Sequence, residues 1–316
     1  MFERHPVPTP FPVDPVNVYV AGRTIVDPGP ETDEAWSIVR SALAGHGLEP
    51  ADVEQVLVTH PHPDHFGLAR RFRDRGARVL GSEETAAIVA AYDDRLEYEA
   101  SVFDGLFRRH GLSETVTGDA LEIAAGLSNH VSDCPVDRIL AGGDELTVGS
   151  TSMTVGTLTG HAPGELWFSY EWDGDDRAIV GDHVLAEITP NPLLQPPATP
   201  GEKRPRVLPA FNESLEGLHG QRFDRLLPGH GRLIDRPADR IDAILAAHET
   251  RTDAVFSLVS GPTTAADVMG GLFGDLPPSE VFSGMSEAIG HLDVLEERGR
   301  IRRHTDASNH ITYERA

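Results

Sequence analysis

The chain has 316 residues, of which 50 are Asp or Glu and 27 are Lys or Arg, so its formal net charge at pH 7 is -23. Polyanions meet net repulsion from such a surface, which disfavours loose binding of nucleic acid. A single cysteine, Cys134, excludes an intramolecular disulfide and a cysteine-rich zinc module.

The first residues, Met1 to Pro15, are proline-rich and include no apolar run, so they do not resemble a signal peptide. No later segment approaches the roughly 20 apolar residues that a membrane span needs. We therefore expect a cytoplasmic protein without a membrane partner.

Strand-like and helix-like segments alternate over the next part of the chain, which is typical of a layered α/β fold. The predicted strands are Val16–Val20, Thr24–Val26, Val53–Val58 and Arg78–Leu80, and the predicted helices are Thr32–Gly45 and Phe66–Arg75. Asp27 lies in a turn after the second strand. Its carboxylate is expected either to serve that turn or to hydrogen-bond a histidine from another part of the chain.

A helical pattern follows from about Ala86 to Asn129. We expect either a packed helical excursion or a lid over a substrate pocket. The strands predicted after it are Glu145–Val148, Ser152–Leu158, Leu166–Glu171, Arg177–Val180 and Phe223–Leu227, with Asp173-Gly174 as a hairpin turn and a proline-rich loop from Pro190 to Pro209.

The pattern changes after Gly231, where three helices are followed by a hairpin. The predicted helices are Ala238–Val259, Thr264–Phe273 and Ser279–Arg298, and the hairpin strands are Arg300–Arg303 and His310–Arg315. This order is the outline of a winged helix. We place the boundary near residue 236, which gives domains at 1–235 and 236–316.

The segment Thr59-His60-Pro61-His62-Pro63-Asp64-His65 carries four ligand-type side chains directly after an apolar strand. Imidazole and carboxylate groups are good ligands for zinc and similar ions. In an extended segment His60 and His62 point to one side and can share a metal, while Asp64 and His65 could hold a second ion.

Three further candidates stand at strand-loop junctions, where glycine flanks a ligand-type residue. They are His161 in Gly160-His161-Ala162, Asp182 in Gly181-Asp182-His183, and His230 in Gly229-His230-Gly231. Glycine in these places lets backbone approach an ion closely.

The set His60, His62, Asp64, His65, His161, Asp182 and His230, in this order, resembles the metallo-β-lactamase superfamily. That resemblance implies a four-layer αββα sandwich with two metals at one edge. His60, His62 and His161 would bind the first metal, and Asp64, His65 and His230 the second, with Asp182 bridging both. The C-terminal part is similar to the winged-helix domain of the β-lactamase-like protein 2 group, some members of which are assigned endoribonuclease activity.

Two divalent ions lower the pKa of a shared water, so a metal-bridging hydroxide would attack the substrate. Asp64, Asp182 and His183 are the candidate catalytic residues. A donor set without thiolate suits two Zn²⁺ ions, although Fe and Mn remain alternatives. We expect a metal-dependent hydrolase of a small ester, thioester or lactone, whose winged helix is a structural or dimer-forming appendage.

The alternative is a metal-dependent endoribonuclease in which the winged helix grips RNA. Arg298, Arg300, Arg302 and Arg303 form a basic strip that favours this hypothesis. However, 8 Arg stand against 13 Asp and Glu from Arg236 to Ala316. A nucleic-acid module is normally basic overall, so we expect a small-molecule substrate and disfavour nucleic acid as a partner.

Overall fold

The computed structural model describes residues 1–126 and 131–316. The chain divides into two compact units of discontinuous sequence. The first comprises Met1–Asp93, Ser128–Pro190 and Leu215–Ile241, and the second comprises Asp94–Leu127, Asn191–Ser214 and Asp242–Ala316. The end of the helical segment predicted from Ala86 to Asn129 lies outside the described residues. Within the described ranges, no helix is both long and apolar enough to cross a bilayer.

The first unit contains a six-stranded sheet whose strands lie in chain order. They are β1 (Glu3–Val7), β2 (Val16–Ala21), β3 (Thr24–Val26), β4 (Gln55–Leu57), β5 (Arg78–Gly81) and β6 (Arg138–Ile139). Strands β1 to β3 pair antiparallel, and β3 to β6 pair parallel. β2, β3 and β4 are buried along their whole length, as expected for strands covered on both faces.

A five-stranded sheet, in the order β11-β10-β9-β8-β7, completes the strands of this unit among the described residues. They are β7 (Glu145–Val148), β8 (Thr151–Leu158), β9 (Glu165–Trp172), β10 (Asp175–Gly181) and β11 (Arg225–Pro228). Only β10 and β11 pair parallel. Asp173 and Gly174 join β9 to β10 with φ of 55° and 81°, which confirms the predicted hairpin turn.

The two sheets share one apolar core. Tyr19 and Leu57 of the first sheet lie in the same buried cluster as Met153, Phe168 and Ile179 of the second. All five side chains are at most 1% exposed. The sheets therefore pack face to face, and their facing side chains exclude water.

Helices at the amino-terminal end of the unit pack on the first sheet. They are α1 (Asp33–Gly45), α2 (Pro63–Phe66), α3 (Ala69–Arg73) and α4 (Glu83–Val89), with a short 3-10 turn at Pro50–Asp52. Thr32 caps α1, because its hydroxyl accepts the Ala35 N–H at 3.1 Å. Val39 and Leu43 are buried on the inner face of α1.

The single helix predicted over Phe66–Arg75 is wrong, because the chain forms α2 and α3 with a break between them. The N–H of Leu68 donates to the carbonyl of Gly29 at 2.9 Å instead of to its own helix. A Cβ on Gly67 would meet the backbone of Pro30 and Glu31. Close contact with the turn after β3 therefore interrupts the helix.

The remaining elements are α5 (Tyr92–Arg109), α6 (Glu114–Ala125), α7 (Val207–Gln221), α8 (Pro237–Leu258), α9 (Ala265–Phe273), α10 (Pro278–Glu297), β12 (Ile301–Thr305) and β13 (Ile311–Arg315). In the second unit, Val268 of α9, Leu292 of α10 and Tyr313 of β13 belong to one buried core. The carboxy-terminal part is thus helical with a small antiparallel hairpin, in the order the sequence predicted.

We expect Phe168→Ala to lower the free energy of unfolding by about 3–5 kcal/mol, because it leaves a cavity between the two sheets. Ile139→Ala is the matched control, since that side chain is 48% exposed and its loss should cost no more than about 0.5 kcal/mol. Urea unfolding followed by circular dichroism measures both. Equal losses for the two variants would contradict a core shared by the sheets.

Candidate metal centre

Strand direction explains why side chains distant in sequence meet. β8 and β10 both run antiparallel to β9, and β11 runs parallel to β10. The carboxyl ends of β8, β10 and β11 therefore lie at one edge of the second sheet, and His161, Asp182 and His230 follow those three ends. The predicted grouping of these residues is found in the structure.

The first group of ligand-type atoms contains three imidazoles. His62 Nδ1 lies 3.0 Å from His60 Nε2 and 3.2 Å from His161 Nε2. The three nitrogens lie within 4.8 Å of one another. One ion at their centre would be within reach of all three lone pairs.

The second group consists of Asp64, His65 and His230, whose ligand atoms also lie within 4.8 Å of one another. His230 Nε2 is 3.3 Å from Asp64 Oδ2, and His65 Nε2 is 3.9 Å from the same oxygen. Pro63 occupies the first turn of α2, which presents Asp64 and His65 from a rigid, buried turn.

Asp182 lies between the two groups. Its Oδ2 atom is 3.7 Å from His161 Nε2, 3.5 Å from His65 Nε2 and 3.3 Å from His230 Nε2. One carboxylate oxygen thus faces imidazoles of both groups, which is the position a bridging ligand needs. All seven predicted side chains are brought together around it.

Asp27 contacts His65 of the second group directly and His60 of the first group through Thr59. It accepts the Thr59 N–H at 2.8 Å and the Thr59 hydroxyl at 2.7 Å, and its Oδ2 lies 2.9 Å from His65 Nδ1. Because the Thr59 hydroxyl donates to Asp27, it can accept from His60 Nδ1, which is 2.9 Å away. These contacts place the Nδ1 protons of His60 and His65 and leave each Nε2 for a metal. Asp27 sits in the turn with φ of 50°, but its carboxylate contacts Thr59 and His65, so the second of the two expectations is confirmed.

His230 is oriented by the backbone near the amino terminus. Its Nδ1 lies 2.9 Å from the carbonyl oxygen of Pro15, so that nitrogen donates and Nε2 faces the carboxylates. Tyr19 Oη donates to the carbonyl of Pro228 at 2.6 Å, and Asn17 Nδ2 donates to the same oxygen at 2.9 Å. These bonds from β2 fix the loop that carries His230.

Glu165, at the start of β9, is a buried carboxylate that our reading of the sequence missed. Its Oε2 accepts the His161 N–H at 3.1 Å and lies 3.2 Å from His183 Nδ1. His183 itself is fully buried and belongs to none of the four groups of ligand-type atoms found among the described residues. The available signal was an acidic residue directly before the apolar run Leu166-Trp167-Phe168.

The pKa values of His62 in the first group and His230 in the second group are shifted in opposite directions. Burial, reinforced by the neighbouring His161, lowers the pKa of His62 to about 3. Burial also acts to lower the pKa of His230, but Asp182 and Asp64 overcome it and raise that pKa to about 10. The same carboxylates raise the pKa of His65 against the effect of burial. Without a metal, His60 and His62 are neutral and the second group is ion-paired, so a cation entering the second group displaces protons.

The buried atoms and the glycine loop fit a pair of metal ions. His65 Nε2 and Asp182 Oδ1 are buried and have no hydrogen-bond partner among the described residues. A Cβ on Gly229 would meet Asp182 Oδ1 and would come within 2.7 Å of His65 Cε1. Five imidazoles and two carboxylates without thiolate suit divalent ions of intermediate softness. The clusters are consistent with a two-metal site.

Comparisons with known proteins agree with this geometry. The sequence profile of the Metallo-beta-lactamase superfamily matches residues 11–230, and that of the Metallo-beta-lactamase-like C-terminal domain matches residues 252–316. A Bacillus subtilis (strain 168) protein named as a probable metallo-hydrolase, YqjP, is 30% identical over 92% of this chain and 90% of its own. The Beta-lactamase-like protein 2 homolog of Caenorhabditis elegans is 23% identical over 85% of this chain and 75% of its own.

Among solved structures, a metallo-beta-lactamase family protein of Thermus thermophilus matches with a TM-score of 0.83 and 28% identity. The match covers 100% of this chain and 98% of that one. The fold and the carboxy-terminal helical region are therefore shared over the full length.

We expect Asp27→Asn to weaken metal binding by about 10–100-fold, because the variant loses the charge that orients His65 and Thr59. Asp33→Asn is the matched control, since the Asp33 side chain is 98% exposed. Competition with a chromophoric chelator measures the affinity. An unchanged affinity in Asp27→Asn would show that this carboxylate serves only the turn.

In the metal-free protein, Asp182→Asn should lower the pKa of His230 from about 10 toward the ordinary histidine value, because the charge that holds the proton is removed. NMR titration of the imidazole resonances follows this directly. Asp176→Asn makes the same charge change at an exposed position of β10 and should leave the His230 pKa in place. An equal fall in both variants would contradict the local ion pair.

Proposed function

This chain belongs to the metallo-β-lactamase superfamily, and from that membership we propose that it is a binuclear metal-dependent hydrolase of a small ester, thioester or lactone. The observation that carries the proposal is the position of Asp182, whose Oδ2 lies 3.3–3.7 Å from imidazoles of both ligand groups. The Bacillus subtilis relative named as a metallo-hydrolase supports the same reaction class.

We assign His60, His62 and His161 to a first ion, Asp64, His65 and His230 to a second, and Asp182 to both. A donor set of imidazole and carboxylate supports zinc as the metal, with iron or manganese as alternatives. Two bound divalent ions would supply Lewis acidity and an activated water near neutral pH.

The chain's own residues would orient the reacting groups. Asp182 Oδ1 is a buried acceptor without a partner among the described residues, so it can take a hydrogen bond from an attacking water. Asp64 holds His230 at 3.3 Å and keeps that imidazole aimed into the centre. His183 faces Glu165, which also accepts the His161 N–H, so we give His183 a positioning role on the His161 loop.

The arrangement of the carboxy-terminal arginines favours the hydrolase over the endoribonuclease. Arg298 pairs with Glu249 at 2.8 Å, and Arg300 pairs with Asp253 at 3.1 Å. Two members of the basic strip are thereby neutralised within the second unit. An ion-paired arginine contributes less to phosphate binding than a free one, because the phosphate must first displace its carboxylate.

We also propose three features that the sequence predicts. They are a four-layer αββα sandwich over residues 1–235, a winged helix over 236–316 as a structural or dimer-forming part, and a cytoplasmic location. The order α8, α9, α10, β12, β13 supports the winged helix.

We expect metal analysis to give about two ions per chain, and hydrolysis of at least one thioester, lactone or ester in a panel that also contains β-lactams and short RNA. Asp182→Ala should reduce that hydrolysis at least about a hundredfold, since each metal contact is worth several kcal/mol in the transition state. Asp176→Ala, at an exposed position of the strand that leads to Asp182, should not.

Two results would contradict the proposal. Hydrolysis of RNA alone, lost in Asp182→Ala, would favour the endoribonuclease. A metal content near one per chain that does not fall in His230→Ala would exclude the binuclear centre.

A further inference from the structure

The second unit contains a cavity of about 650 Å³. Its apolar wall includes Val102, Phe103 and Leu106 of α5, and none of its lining residues belongs to the metal centre. Cavities of roughly 300–1,000 Å³ are the usual size for small-molecule sites. The cavity is therefore large enough for an organic ligand of its own.

Its charge contrasts with that of the whole chain. Five basic residues line the cavity against three acidic ones, although the net charge of the chain is -23. Lys203, the single lysine of the sequence, is among the five. A local excess of positive charge within a strongly acidic protein attracts small anions selectively.

Two of the five cations are already neutralised. Arg204 forms a bidentate ion pair with Asp293 at 2.7 and 2.8 Å, and Arg206 pairs with Glu296. These two ion pairs form part of the cavity wall, and their charges compensate each other.

The other three cationic side chains are not ion-paired with any described residue and are available to an anionic ligand. Among the described residues, Arg109, Lys203 and Arg303 have no carboxylate within ion-pair distance, and Arg109 donates only to the Asn309 carbonyl at 3.1 Å. The third acidic residue, Glu202, is likewise without an ion pair in the described chain and is exposed. The unpaired groups of the cavity thus carry a net positive charge.

Two buried polar atoms that line the cavity also lack a partner within the described ranges. His110 is 1% exposed, and its Nδ1 makes no hydrogen bond to any described residue. Gln195 Nε2 is a buried donor that likewise makes no hydrogen bond within that part of the chain. Burial, together with Arg204, Arg303 and Arg109, lowers the pKa of His110 to about 3, so its ring is neutral at pH 7. Unpartnered buried polar atoms are costly, and a bound polar ligand would satisfy them.

The wall is held in place before any ligand arrives. Tyr98 Oη donates to the Pro197 carbonyl at 2.9 Å, and the Leu194 N–H donates to Ser286 Oγ at 3.1 Å. These bonds, with the Arg204–Asp293 pair, anchor the segment that carries Gln195 and Lys203. Such preorganisation lowers the entropic cost of binding.

We propose that this cavity binds a small organic anion with at least two negative charges. The anionic group lies against Arg109, Lys203 and Arg303, Gln195 Nε2 donates to it, and the apolar part packs on Val102 and Leu106. Phosphate esters and polycarboxylates both have this chemistry.

The test is calorimetric titration of the purified full-length protein with phenylphosphonate, citrate and inorganic phosphate. Phenylphosphonate carries a phosphate-like head and an apolar ring and cannot be hydrolysed as an ester, whereas citrate carries carboxylates and inorganic phosphate is the head alone. We expect phenylphosphonate or citrate to bind with a Kd below about 1 mM, tighter than inorganic phosphate, and to weaken with added salt.

Arg303→Gln should weaken that binding at least about tenfold, because it removes a charge-assisted contact. Arg302→Gln is the matched control: it lies next to Arg303 on β12, makes the same charge change and points to the other side of the hairpin. Its affinity should stay within about twofold of the parent.

Asp182→Asn separates this cavity from the metal centre. Binding that survives Asp182→Asn and is lost in Arg303→Gln supports the cavity, whatever the hydrolysis assays show. The proposal is overturned if neither organic probe binds, if the two arginine variants lose affinity equally, or if Asp182→Asn alone abolishes binding.

Discussion

Ionisable groups that are buried together must compensate one another, and this constraint organises the first unit. Asp182 meets three imidazoles at 3.3–3.7 Å, and the imidazoles that face it are in turn held from behind. Asp27 and Thr59 hold His65 and His60, the Pro15 carbonyl holds His230, and Glu165 holds the backbone of His161. The loops at the strand ends therefore have little freedom, because hydrogen bonds from behind hold the ligand side chains or the backbone that carries them.

The ligand set could be predicted from the sequence because its chemistry is local. Four ligands fall between His60 and His65, and each of the other three follows a strand and is flanked by glycine. The partners behind the ligands are different, since Glu165 and the Pro15 carbonyl reach the site only through sheet pairing. Nothing near them in the sequence has the density of the first motif.

The errors in secondary structure have the same origin. β1 was missed because Pro6 interrupts its pattern, yet an edge strand tolerates a residue without an N–H. β6 has two residues, both exposed, so no alternation marks it. The break between α2 and α3 arises from a contact with the turn at Gly29, which no local pattern reveals. The strands of the second sheet were predicted well because β7 to β9 alternate over part of their length and β10 and β11 end in continuous buried runs.

The single lysine of the chain lies at the cavity of the second unit, and this position has a consequence for chemical labelling. The chain has one ε-amino group, on Lys203, and that residue is exposed at the cavity. Acylating reagents, which are directed to lysine side chains, would meet a single such target. A fluorophore or an affinity tag could therefore be attached to one defined lysine without removing competing ones, with the α-amino group of Met1 as the other reactive amine. The scarcity of lysine thus limits amine labelling of the chain to two positions.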